Sequence, residues 1–142
     1  MEVILKDRQT STEVQIASPG ASAGYRDISE RYVVWSGYPE TGDSSGKDVF
    51  YLDLDTQEAV QIPQTSAYFC YDVRTWGEYI TYVCSEYWLM PPYHLKLYHI
   101  PTGTEYHLEG DGETEAGVVT GAIHETLIAW TTTKYMQETQ MY

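Results

Sequence analysis

Residues Gly20 to Gly24, Gly-Ala-Ser-Ala-Gly, satisfy G-x-S-x-G, the spacing of a nucleophile elbow in which a serine hydroxyl attacks an acyl carbon. That chemistry needs a strand turning directly into a helix. Strand-like residues stand on both sides here, and a loop of small residues is the better reading. A second stretch, Asp43-Ser44-Ser45-Gly46-Lys47-Asp48, offers hard oxygen ligands and a glycine for a tight bend. Its positions do not follow the EF-hand spacing and Lys47 opposes a cation, so it reads as a solvated loop. Glu109, Asp111, Glu113 and Glu115 form a denser carboxylate cluster, which solvated charge accounts for better than a weakly held metal. The histidines are scattered, and His94 and His99 stand an odd number of residues apart, which on a regular strand turns them to opposite faces. No catalytic set, metal or cofactor is expected, and the chain reads as a non-enzyme.

Aromatic residues between the strand-like segments are the most informative binding candidates. Tyr38, Tyr87, Trp88, Tyr93 and Tyr135 fall where loops are expected. With Glu40, Asp43 and Glu86 nearby, they could gather at one end of the strands into a surface for a protein, peptide or carbohydrate, because rigid rings among polar groups suit such ligands. Equally, the rings could pack over sheet edges.

Charge narrows the partners. The 142 residues carry 21 acidic against 8 basic side chains, a formal net charge of −13 that repels nucleic acid and anionic membrane surfaces. No apolar run approaches the length of a membrane span, so no insertion is expected, and no signal-peptide core stands at the N-terminus. With 42% hydrophobic residues the chain can build a core. Fourteen Tyr and abundant Val, Ile and Thr favour strands over helices, and all-β is the expected class.

The elements that must position these side chains repeat. Val3 to Ile16 (VILKDRQTSTEVQI), Val49 to Ile62 (VFYLDLDTQEAVQI) and Leu95 to Leu108 (LKLYHIPTGTEYHL) recur at an interval of 46, with Thr10, Thr56 and Thr102 in register at their turns. A second unit ends in Trp35, Tyr82 and Trp130, which should occupy equivalent buried sites. Each repeat is two hairpins, four antiparallel strands in about 47 residues, the content of one propeller blade. The expected division of this single unit, residues 1–142, is strands three and four of a split blade over 1–16, one blade over 25–62, another over 68–108, and strands one and two of the split blade over 118–142.

On these residues the chain resembles a known family. Tyr32-Val33-Val34-Trp35 followed by Asp48 to Ile62 is similar to the repeats of Tol-type and archaeal surface-protein β-propellers. The second repeat departs from the pattern at His99-Ile100-Pro101, where Asp53-Leu54-Asp55 stands in the first. The resemblance implies a propeller scaffold used for binding or structural interaction. Its enzymatic alternative is a component of a hydrolase or peptidase system with a site in the central channel. Three blades are fewer than the usual four to eight, and the chain starts with the third strand of a blade and ends about where the next one would begin. Two chains are therefore expected to close a six-bladed ring as a homodimer. Cys70 and Cys84 fall one residue out of register for a hairpin turning at Gly77-Glu78, so free thiols are expected unless that turn is irregular.

Overall fold

The computed structural model describes residues 3–16, 24, 26–38, 46–65, 68–87, 90–109 and 117–133. The all-β expectation holds. Twelve strands, one short 3-10 turn at Pro63–Thr65 and no α-helix occur among these residues. The strands are β1 (Val3–Lys6), β2 (Glu13–Ile16), β3 (Arg26–Ile28), β4 (Tyr32–Gly37), β5 (Asp48–Asp53), β6 (Glu58–Gln61), β7 (Phe69–Trp76), β8 (Tyr79–Tyr87), β9 (Met90–His99), β10 (Thr104–Glu109), β11 (Gly117–His124) and β12 (Leu127–Thr133). They form four antiparallel sheets of consecutive strands: β1-β2, β3-β4-β5-β6, β7-β8-β9-β10 and β11-β12.

The interval of 46 reappears in the backbone. Ser11, Gln57 and Gly103 have φ of 59°, 61° and 65°, the left-handed conformation that lets each β1-β2, β5-β6 and β9-β10 turn close tightly. The residue four positions before each bonds within its own turn, the aspartates to a backbone N–H and the histidine to a side-chain hydroxyl. Asp7 Oδ1 accepts the Gln9 N–H at 2.7 Å, Asp53 Oδ1 accepts the Asp55 N–H at 3.0 Å, and His99 Nδ1 meets Thr102 Oγ1 at 2.8 Å. A histidine thus replaces the aspartate with a different bonding partner, while the left-handed turn residue is kept.

The hairpins built on β7-β8 and β11-β12 share a different device. Tyr71 pairs Val83 but Arg74 pairs Thr81, leaving Asp72 and Val73 opposite Tyr82. Thr120 pairs Trp130 and Ala122 pairs Ala129, so the same slip occurs one repeat later. Each slip is a bulge, which bends the strand and sharpens its twist. In β7 the bulge brings Cys70 directly opposite Cys84, and the two form a disulfide. This overturns the expectation of free thiols: the irregularity lies inside the strand, not at the Gly77-Glu78 turn.

Sheets lie face to face in chain order. All six residues of β4 are buried, as are Ile80 to Ser85 of β8, which requires cover on both faces. Along β4, Val33 and Trp35 join Phe50, Leu52 and Ile16 in a core toward β1-β2, with the Trp35 and Phe50 rings stacked at 5.8 Å. The intervening Val34 joins Val49, Ile62, Val73, Ile80, Tyr82 and the disulfide in a core between the two four-stranded sheets. Val83 and Leu95 point to the other face of the second of these, over which β11 packs. Trp35 and Tyr82 are fully buried at equivalent positions, as expected; the side chain of Trp130 lies outside those described. A close backbone approach holds the large sheets together at Gly46, where a Cβ would sit 2.2 Å from Tyr68 O. Beside it, Lys47 bridges to Phe69 and its carbonyl accepts the Cys70 N–H at 2.8 Å.

Candidate functional site

Of the aromatic residues expected in loops, Tyr38 follows β4 and is half-buried, with Lys47 Nζ 5.3 Å from its ring centroid. Tyr87 and Tyr93 lie on strands rather than in a loop. β8 and β9 run on until Tyr87 pairs Met90, and Tyr93 sits opposite Ser85 with its ring edge-on to Tyr71 at 6.1 Å. Tyr87 is 59% exposed, whereas Tyr93 is half-buried. Glu40, Asp43, Trp88 and Tyr135 lie outside the described residues, as do Gly20 to Ala23, Ser44 and Ser45, and the carboxylates at 111–115.

The opposite ends of the strands present a groove of about 460 Å³ between the β3-β4 and β7-β8 turns, lined by Ile28 to Tyr32 and Trp76 to Glu78. Local chemistry shapes both walls. The Ser29 N–H donates to Tyr32 O at 2.9 Å to close the first turn, and Gly77, at φ 54°, closes the second. Across the seam, Asp27 Oδ2 on β3 accepts the Thr75 N–H on β7 at 3.0 Å, which fixes the turns relative to one another. The result leaves Ile28 55% and Trp76 40% exposed at hairpin tips. Trp76 rests against His124 of the next hairpin, ring centroids 4.2 Å apart.

Charge around this groove is mainly negative. Glu30 and Glu78 are exposed on its walls. Its one lining cation, Arg31, donates through Nε and Nη2 to both oxygens of Asp53, at 3.0 and 2.7 Å, and meets Asp55 at 3.2 Å. This bidentate pairing holds the Asp53 carboxyl below the usual carboxylate range and raises the Arg31 guanidinium further above its own. His99 Nε2 stands 3.7 Å from Glu78. Gly77 marks a turn in the sequence, but nothing there marks the groove, which forms only because two sheets set that turn beside the β3-β4 turn.

A second polar constellation is buried. Lys96 Nζ pairs with Glu105 Oε1 at 3.0 Å, and Tyr82 Oη donates to Glu105 Oε2. Burial, and then the carboxylate beside it, push the Tyr82 phenol far above its ordinary range. His107 approaches the same carboxylate at 3.4 Å, and Lys96 Nζ lies 5.1 Å from the Tyr68 ring centroid. Register explains the assembly: Tyr82 pairs Lys96 and Lys96 pairs His107, so all three occupy one face of the sheet. His94 and His107 come within 6.5 Å, and among the described residues no group of three His, Cys, Asp or Glu is arranged to hold a metal ion. Neither a family model nor a curated protein matches the chain.

Proposed function

We propose that this chain is a three-bladed β-propeller arc, with one blade split into two hairpins, that acts as a non-catalytic binding and interaction module. It closes into a six-bladed ring with a second copy. The observation that carries this reading is the state of the outer strands. Within each four-stranded sheet the second strand pairs the third, as β4 with β5 and β8 with β9. By the repeat register β12 is a second strand and β1 a third strand, yet among the described residues neither has a neighbour on that edge. Their exposed apolar residues support association: Ile4 on β1 is 58% and Leu127 on β12 is 72% exposed. Pairing β12 of one copy with β1 of the other restores roughly five ladder hydrogen bonds at each junction, each contributing about 1 kcal/mol net. The two junctions are equivalent under two-fold symmetry, which closes the assembly.

The resemblance to Tol-type and archaeal surface-protein propellers fits this arrangement, and no reaction is assigned. Light scattering on the full chain tests the assembly. A monodisperse species of twice the chain mass is expected; a monomer, or a ladder of larger species, overturns it.

A further inference from the structure

We propose that the groove between the β3-β4 and β7-β8 turns binds a basic side chain of a partner peptide, seated against Trp76 between Glu30 and Glu78. This deepens the reading of the chain as a binding module by naming the ligand chemistry and a surface. The groove is concave, and two large apolar residues, Ile28 and Trp76, remain exposed at hairpin tips where polar residues are usual. An exposed tryptophan face attracts a cation electrostatically and covers its aliphatic stem. The cation already present cannot serve an incoming anion, because Arg31 is held by both oxygens of Asp53 and by Asp55. Glu30 and Glu78, the latter with His99 Nε2 3.7 Å away, are both exposed, on a chain of net charge −13. Phosphate and carboxylate ligands are repelled. A sugar ring would stack on Trp76, but hydrogen bonding to its hydroxyls gains nothing from this surplus of negative charge, whereas a lysine or arginine satisfies the ring and the carboxylates together.

The geometry also supplies rigidity. Trp76 is backed by His124, and the Asp27 to Thr75 hydrogen bond spans the seam between the walls, so little ordering accompanies binding.

The test is calorimetric titration of the full chain with capped tetra-arginine, and with capped tetra-glutamate and tetra-alanine as comparators. Tetra-arginine should bind and the other two should not. Trp76→Ala and Glu78→Lys should each weaken binding by about tenfold, on the scale of a lost cation–π or charge contact. Glu13→Lys, the same charge change on β2 away from the groove, should alter it less than about twofold. Because Trp76 is 40% exposed, its replacement should leave the fold intact, which circular dichroism checks, and Glu78→Lys leaves the core untouched. Equal losses from Glu13→Lys and Glu78→Lys, unchanged binding by Trp76→Ala, or no tetra-arginine binding at low salt would each overturn the proposal. Mass measured on the same samples separates the two readings: a dimer that ignores tetra-arginine defeats this inference alone, and a binding monomer defeats only the ring.

Discussion

Lys96 and Glu105 stand where the preceding repeat has Phe50 and Ala59, each 46 positions earlier, so one four-stranded sheet carries an ion pair at a site that its neighbour fills with hydrocarbon. The pair is almost enclosed, Lys96 at 5% and Glu105 at 11% side-chain exposure. Removing one member leaves the other charge desolvated, and Lys96→Met should cost about 3 kcal/mol. The double change Lys96→Phe with Glu105→Ala copies the earlier repeat and should be less damaging than Lys96→Phe alone; denaturant midpoints of the cycle made by Lys96→Phe, Glu105→Ala and the two together read the coupling directly. A cycle without coupling would show that the charges do not depend on each other. Nearby, Asp53 offers a pH test. Its carboxyl is depressed in the folded chain by Arg31, so its stabilisation is present above the unfolded carboxylate value near 3.9 and is lost as pH falls through the folded value. Asp53→Asn should therefore lower the melting temperature at pH 7, with the gap narrowing below pH about 4; a gap independent of pH would refute the assignment. The sequence marked Tyr82 as buried but did not reveal Lys96 and Glu105 as partners, because a lysine and a glutamate in alternating strands read as solvent-facing until a neighbouring sheet covers them.

Turns were the most legible elements. Pro101, Thr102 and Gly103 announced a tight turn through residue type alone, and the interval of 46 carried it to Ser11 and Gln57, whose side chains give no such warning. Since all three positions are left-handed, Gln57→Gly should stabilise and Gly103→Gln should destabilise the chain, each by about 1 kcal/mol. Thermal melts of both variants check this, and shifts of the same sign would mean that the turns are not equivalent. The bulge in β7 was not legible: period-two alternation has no symbol for an extra residue. The one hint was Asp72, an acid within an apolar run, which adopts φ 51° at the slip and is 5% exposed. From that omission followed the misjudged cysteines, since Cys70 and Cys84 meet only because the register moves by one. Strand lengths were also misjudged at Tyr87 and Tyr93. Pro91-Pro92 reads as a break in a strand, yet both lie within β9, whose pairing with β8 extends to Met90 opposite Tyr87.

At the scale of the molecule, strand order followed from the repeats, but the stacking of sheets depends on contacts between residues far apart in the chain. Burial of β4 and β8 on both faces is the physical sign of that stacking, and it is why Ser36, Thr81 and Ser85 are buried despite their polarity. Among the described residues the outer strands β1 and β12 lack this completion, and the proposed ring supplies it. Its register can be stated. Ala129 and Leu5 take the places held by Thr81 and Leu97 in the complete sheet. Since the Ile100 N–H donates to Glu78 O, alternation along the ladder makes Thr81 and Leu97 a non-hydrogen-bonded pair, where opposed side chains come closest and a disulfide fits. The most direct test is the double variant Leu5→Cys with Ala129→Cys, oxidised and run on a non-reducing gel. The ring predicts a covalent dimer that forms in high yield and persists under denaturation, with neither single variant crosslinking. A bond closed within one chain, a polymeric ladder, or two free thiols per chain would contradict it.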